Sequence, residues 1–359
     1  MIERLTIENF KSLKRVDLTL GPLNIFIGPN ASGKSNLFDA LRVLQGLGYG
    51  FTVSEIFDGK PKSATSIEWH GIRGGSALAL SRIGLSSSEI RLTAHSRLQT
   101  YAYLFEVGLD PLLSRVIFER LFLNGEEFSK NSDALDVKSS FRAYAYEQFG
   151  NMQQFNFDLA HLREYSQPQT VTRLGEHGEN FAALVNALIS NPKTRTDYMS
   201  WLSELVPAEI DNVEILKGAV GEPLFAIRNG FGVFPAFVLS DGTLRFAALT
   251  AALFQPDAPR LALIEEIETG IHPSRLQLLL ELLRSRAARG QTQLFVTTHS
   301  PIILDWLTPA DYATTFLCQR GADGASHVLP LSKIPRFAEV AQRTPASELF
   351  VEGWLETVA

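Results

Sequence analysis

The chain has one cysteine, Cys318, in 359 residues. That excludes an internal disulfide and a zinc cage built from several thiolates. No apolar run approaches the roughly 20 residues that a helix needs to cross a bilayer. The opening stretch, MIERLTIENFKSLKRVDL, alternates charged and apolar side chains and has no signal-peptide core. Repeats, heptad arrays and low-complexity tails are also missing. Positive charge is scarce: the formal net charge of −6 argues against a broadly basic DNA binder, although it leaves room for a local basic groove. These absences lead to the expectation of a cytoplasmic protein with no membrane partner. What remains is a globular composition, 45% hydrophobic and 20% charged, in a chain long enough for two lobes or a domain with an insertion.

Periodicity divides the sequence into three expected regions. Residues 1–150 read as an N-terminal lobe with an antiparallel β subdomain of about five strands, 151–235 as a helical linking insertion, and 236–359 as a C-terminal lobe. In the first, Ile2, Leu5, Ile7 and Phe10 alternate as in a strand, and KSNLFDALRVLQGL places Leu37, Leu41 and Leu44 on one helical face. SIEWHG, ALALSRIGL, EIRLTAHS, YAYLFEVGL and FERLFLNGEEF look like successive short strands. In the last region short apolar strands alternate with long helices, the pattern of a parallel α/β sheet.

GPNASGKS, Gly28 to Ser35, fits G-x-x-x-x-G-K-[ST], follows the strand-like LNIFI and opens a helix. Gly28 and Gly33 allow the tight wrap, and the loop N–H groups suit a β-phosphate. Lys34 suits the β- and γ-phosphates, and the Ser35 hydroxyl suits Mg²⁺. Asn30, Ser32 and Asn36 complete the expected nucleotide-binding set. RLALIEEIETGIHP places Glu265 and Glu266 at the end of a buried strand, where α/β sheets bind ligands. Adjacent carboxylates point to opposite sides of a strand. Glu265 is therefore read as the metal ligand and Glu266 as the group that orients or deprotonates water. His299, after the strand-like LFVTT, is read as a sensor of the terminal phosphate. His272 reads as a turn residue. Lys11 and Ser12 are open between the nucleotide's surroundings and a surface turn. Gln153 and Gln154 are open between a metal-sensing glutamine and loop polarity.

One polar knot is left over. Ser240-Asp241-Gly242-Thr243 precedes the helical run GTLRFAALTAALF. It has two readings: an ordinary N-cap, or an anion site at a helix N-terminus. One nucleotide already has its loop, metal ligand, water-holder and sensor. The spare site fits a head-to-tail dimer in which Ser240 and Gly242 close the ATP of the other subunit.

IENFKSLK, GPNASGKS, LSDGTLR, LIEEIETGIHP and TTHSP, in this order, resemble the ABC-type ATPases of the RecF and SMC class, in the branch of compact bacterial AAA-family, RecF-like ATPases. FNFDLAHLRE and GENFAALVNAL are similar to the middle of that branch, so the resemblance spans most of the chain. It implies an α/β P-loop NTPase head with a mixed sheet, an antiparallel β subdomain and a helical lobe, dimerising on ATP with Mg²⁺. By that likeness Lys34 and Ser35 belong to Walker A, Glu265 and Glu266 to Walker B, Ser240 and Gly242 to a signature acting in trans, and His299 to the switch histidine. The wider class usually has Asp where this chain has Glu265. No SMC-type coiled-coil arm is present, and about sixty residues follow His299, so a nuclease or effector is expected to be a separate chain. The expected activity is ATP hydrolysis coupled to DNA, in repair or phage defence. Arg91, Arg97, Arg115 and Arg120 are scattered candidates for a DNA groove. The alternative is an ATP-dependent dimer switch that regulates a protein effector without touching DNA.

Overall fold

A computed structural model describes residues 1–63, 66–79, 89–96, 102–110, 115–124, 126–129, 143, 145–205 and 210–358. It consists of two compact units: Met1–Met152 with Thr297–Pro301 and Leu307–Ala359, and Gln153–Val296 with Ile302–Trp306.

The first unit starts with a hairpin of β1 (Ile2–Phe10) and β2 (Leu13–Thr19), paired up to Phe10↔Leu13. Ile2, Leu5, Ile7 and Phe10 are all buried, as their alternation predicts. Lys11 in the turn has a φ of 52°, the left-handed geometry that matches a two-residue turn to strand twist. β3 (Leu23–Ile27) is buried throughout, as an unbroken apolar strand should be when covered on both faces. It leads through the glycine-rich loop into α1 (Lys34–Gly48), which buries Leu37, Leu41 and Leu44. α2 (Val53–Asp58) starts on a Thr52/Glu55 capping box. β4 (Lys60–Ser63) and β5 (Ser66–Trp69) pair separately.

β6 (Glu89–Ser96), β7 (Ala102–Asp110), β8 (Arg115–Leu123) and β9 (Glu126–Ser129) extend the first hairpin into a six-stranded antiparallel sheet, ordered β2-β1-β6-β7-β8-β9. Two strand expectations are corrected. ALALSRIGL (77–85) opens inside a 3-10 turn, Ser76–Leu78, so its first residues are not strand. Gly74 and Gly75 have positive φ, and the Asp58 carboxylate accepts from the Ser76 N–H at 2.8 Å, which turns the chain; residues 80–88 lie outside the described residues. FERLFLNGEEF is two strands, not one, because the chain reverses at Asn124, whose φ is 52°, as an Asn-Gly pair does.

β10 (Met152–Phe155) leads into the second unit. There α3 (Leu159–Arg163), α4 (Phe181–Ser190) and α5 (Pro192–Leu205) precede the antiparallel sheet of β11 (Asn212–Lys217), β12 (Pro223–Asn229) and β13 (Gly232–Pro235). The strand expected over GVFPAFVL stops early: Ala236–Val238 is a 3-10 turn. α6 (Asp241–Phe254), β14 (Leu261–Ile264), α7 (Leu276–Ala288) and β15 (Gln293–Thr298) follow. β14 and β15 pair in parallel from Leu261↔Gln293 to Ile264↔Val296, with β10 beside β14. α7 is the crossover that parallel strands require. Tyr198 of α5 is fully buried. Its hydroxyl donates to the Ala247 carbonyl of α6 at 3.1 Å, and burial pushes the phenol well above its usual pKa. Tyr198→Phe removes this bond while keeping the ring, so chemical denaturation should show a loss of about 1 kcal/mol.

The chain then returns to the first unit. β16 (Thr315–Arg320) pairs in parallel with β3, and β17 (Ser326–Pro330) pairs antiparallel with β16. Phe26 stacks on Phe316 with centroids 4.9 Å apart. Burial pushes the Cys318 thiol up to about 12, so this cysteine stays a protonated core residue. No helix among the described residues is long and apolar enough to cross a membrane.

Candidate functional site

The loop after β3 is shaped by sterics. Ala31 and Gly33 have φ values of 62° and 103°, a left-handed pair that bends the backbone into an anion-binding nest. Gly33 caps α1 without a side-chain hydrogen bond, so no side chain competes for the helix terminus. A Cβ on Gly28 would run into the backbone carbonyl of Cys318, which is why the loop begins on glycine. Lys34 is 5% exposed. Its ammonium donates to the carbonyls of Gly28 at 2.6 Å and Pro29 at 2.8 Å, and more weakly to Ser32 Oγ at 3.4 Å.

His299 comes to the same carbonyl. Its Nδ1 lies 3.0 Å from Gly28 O and 3.3 Å from Lys34 Nζ. Nδ1 donates to Gly28 O in one tautomer and accepts from the Lys34 ammonium in the other. Thus Lys34 and His299, 265 residues apart in sequence, meet at the first residue of the loop.

Polar residues support the loop from below. Ser12 is buried, shares a 2.6 Å hydrogen bond with Ser326 Oγ and accepts from Asn36 Nδ2 at 2.7 Å. A Cβ on Gly33 would collide with the Ser326 hydroxyl. Ser12 therefore acts beneath the loop, and Ser326, which no motif marked, joins it. Lys11 is held by Asp39, and its ammonium donates to the Arg73 carbonyl at 2.7 Å. Burial pulls its pKa down against the opposing pull of Asp39. Arg73 contacts both Asp39 oxygens at 3.2 Å and donates to the Ser35 carbonyl at 2.5 Å. Arg73 was missed because GIRGG matches no phosphate motif. Asn30 is exposed in the loop, and Ser35 and Asn36 are half-buried in the first turn of α1.

In the second unit, Glu265 and Glu266 follow β14. Gln154 of β10 donates to Glu265 Oε1 at 2.9 Å. The Gln154 carbonyl oxygen is buried and finds no hydrogen-bond partner. Gln153 points the other way. It donates to the Leu174 carbonyl and accepts from Gln255 at 2.9 Å, so its amide ties β10 to its surroundings. Strand alternation separates the two glutamines, but MQQF lies in a polar segment that periodicity did not mark as a strand. Glu266 is exposed and has a φ of 49°, an uncommon conformation for a residue with a side chain and one that clusters at functional sites. Thr269 donates to its carboxylate at 3.3 Å.

Among the described residues no three His, Cys, Asp or Glu side chains gather into an all-protein metal cage. The donors present are oxygens: the Ser35 hydroxyl in the first unit, and in the second the Glu265 carboxylate beside the orphaned Gln154 oxygen. A buried acceptor without a partner needs an explanation. A hard cation that takes few protein ligands provides one, so Glu265 and Gln154 in the second unit fit Mg²⁺.

Ser240 is an N-cap: its hydroxyl accepts from the Thr243 N–H at 3.2 Å. Gly242 approaches the Gly270 carbonyl so closely that a Cβ would collide with it. Asp241 pairs with Arg163 at 2.5 Å. His272 caps the short turn Pro273–Arg275 by accepting from the Ser274 N–H at 3.3 Å. Of the scattered arginines, Arg91 is ion-paired with Glu8 at 3.7 Å, Arg97 lies outside the described residues, and so do the side chains of Arg115 and Arg120.

Comparison with known proteins gives the family and the fold. The family described as "AAA domain, putative AbiEii toxin, Type IV TA system" matches residues 23–305. An ATP/GTP phosphatase of Helicobacter pylori is 23% identical over 331 residues, 86% of this chain and 87% of that protein. Local likeness joins 44 residues, 12% of each chain, to the DNA replication and repair protein RecF of Lactobacillus acidophilus at 48% identity. It joins 46 residues to the OLD nuclease of Thermus scotoductus at 41% identity, 13% of this chain and 9% of that protein. Among solved structures, the SMC head domain of Thermotoga maritima aligns with a TM-score of 0.53 at 14% identity, over 92% of this chain and 98% of that one. An Smc head bound to the C-winged helix domain of ScpA aligns with a TM-score of 0.54 at 16% identity, over 91% and 96%. The chain belongs to this AAA-domain family, is similar to ATPases of the RecF and SMC type, and has the α/β P-loop fold of an ABC-ATPase head.

Proposed function

We propose that this protein binds and hydrolyses ATP with Mg²⁺, and that ATP closes a head-to-tail homodimer acting on DNA in repair or phage defence. The observation that carries the ATPase reading is the nest after β3, with the Lys34 ammonium resting on the Gly28 and Pro29 carbonyls beside His299. In this reading Lys34 exchanges those carbonyls for β- and γ-phosphate oxygens, and the loop N–H groups receive the β-phosphate. Ser35 and Glu265 are each candidate ligands for Mg²⁺, a cation that would offset phosphate charge. Glu266 orients or deprotonates the attacking water, and His299 reads the terminal phosphate. Release of phosphate from ATP by the wild-type protein, and its absence in Lys34→Ala, tests the activity.

Ser240 as a cap and Ser240 as a signature are compatible. Its hydroxyl satisfies one of the four N–H groups that a helix N-terminus leaves unpaired, and the remaining dipole still favours an anion. Ser240→Arg should leave ATP affinity of the monomer within about twofold, because in this reading Ser240 meets the nucleotide of the other subunit. The bulky side chain should abolish ATP-dependent dimerisation in light scattering. Unchanged dimerisation would leave Ser240 as a cap alone.

Likeness to RecF and OLD proteins supports DNA as the partner. The net charge of −6 and the Arg91–Glu8 pair favour the second reading, a dimer switch for a protein effector. ATP turnover stimulated by duplex DNA supports the first; turnover that ignores DNA moves the choice to the second.

A further inference from the structure

Arg245 lies one turn into α6, five residues after Ser240. Its Nε is buried without a hydrogen-bond partner, and no ion pair joins its guanidinium among the described residues. Asp241, four residues earlier on the same helical face, is the partner that helix spacing offers, but its carboxylate is held by Arg163 at 2.5 Å. Arg245 as a whole is half-buried, and its guanidinium, which cannot lose its proton, gains from an anion placed against the buried Nε. The anions are close by: Arg245 lines a small cavity together with Glu265, Glu266 and Thr269. The turn between them is kept low by Gly270, where a Cβ would stand 3.3 Å from Arg245 Cδ and 3.6 Å from its Nε. Gly270 thus leaves the arginine room to lie over the turn. Glu265 is already engaged by Gln154 at 2.9 Å. Glu266 is exposed and accepts from Thr269 at 3.3 Å.

We propose that Arg245 is a positioning residue for Glu266: when ATP closes the dimer, its guanidinium pairs with that carboxylate. Because Arg245 is on the helix whose N-terminus carries Ser240, the pair transmits engagement of that terminus to the group that handles water. This rests on the reading of Glu266 given above. It accounts for an arginine whose Nε lacks a hydrogen-bond partner among the described residues and an exposed carboxylate around the same cavity.

Two measurements on the full chain test it. Side-chain NMR of ¹⁵N-arginine protein, with the Arg245 signal assigned by Arg245→Lys, should show the Nε–H resonance shifting when a non-hydrolysable ATP analogue and Mg²⁺ are added. The shift should be lost in Glu266→Gln, which has no charge to pair. In turnover, Arg245→Ala should lower kcat about 10- to 100-fold, the usual cost of a misplaced catalytic group, with KM within about twofold. Arg245→Lys should recover part of the rate, and so should millimolar guanidinium added to Arg245→Ala. A resonance unmoved by the analogue, or a kcat unchanged in Arg245→Ala, overturns the proposal. If Glu266→Gln is inactive while Arg245→Ala is unimpaired, the pairing alone is refuted. If Glu266→Gln hydrolyses ATP like the wild type, the role of Glu266 itself falls, and the pairing with it.

Discussion

Lys34→Ala should bind ATP about 10²- to 10⁴-fold more weakly than the wild type. Hydrogen bonds to charged groups contribute roughly 1.5–3 kcal/mol each, and the lysine is assigned two phosphates, hence about 3–6 kcal/mol. The fold should survive. The Gly28 carbonyl keeps its bond to His299 at 3.0 Å, and Pro29 lies at the exposed part of the loop, where water replaces the ammonium. Fluorescent-nucleotide titration alongside a thermal melt separates the two effects. Affinity should collapse while the melting temperature moves by a few degrees. A variant that binds ATP normally would remove the central residue from the account.

Glu266→Gln should bind ATP as the wild type does yet lose about 10²- to 10⁴-fold in turnover, the range that a positioned base contributes. The substitution is nearly isosteric, and its amide can keep the contact with Thr269 that the carboxylate makes at 3.3 Å. What disappears is the ability to take a proton or to hold water through a negative charge. The left-handed backbone at Glu266, with φ of 49°, is fixed by the turn and not by the carboxylate, so the strain should persist in the variant. Single-turnover measurement separates the chemical step from product release. Wild-type chemistry in Glu266→Gln would transfer the water-handling role to another residue.

The two sites differed in how much of them could be read from the sequence. The loop from Gly28 to Ser35 was legible because its chemistry is local. Two glycines, a lysine and a hydroxyl at fixed spacing dictate a backbone shape wherever a strand precedes and a helix follows, and β3 and α1 do. Helices α4 to α7 were legible from their apolar stripes. The glutamines were not separable, because choosing between Gln153 and Gln154 requires knowing that Met152–Phe155 is a strand and which face meets Glu265. Ser326 was invisible for another reason: its role depends on contact with Ser12, 314 residues away in sequence. Arg245 reads as an ordinary polar position on an amphipathic helix until its Nε is seen without a hydrogen-bond partner. Asn124 gave a turn signal in the Asn-Gly pair, but it was read through as one strand. Residues whose role is set by their own neighbours could be named early; those whose role is set by a distant partner could not.

The central claim is that ATP gates a dimer. Size-exclusion chromatography with light scattering on Glu266→Gln, with Mg-ATP or Mg-ADP and with or without duplex DNA, tests it most directly. The account predicts a doubled mass with ATP, a monomer with ADP, and co-elution of the ATP-bound dimer with DNA. A protein that remains monomeric with bound ATP would contradict the account.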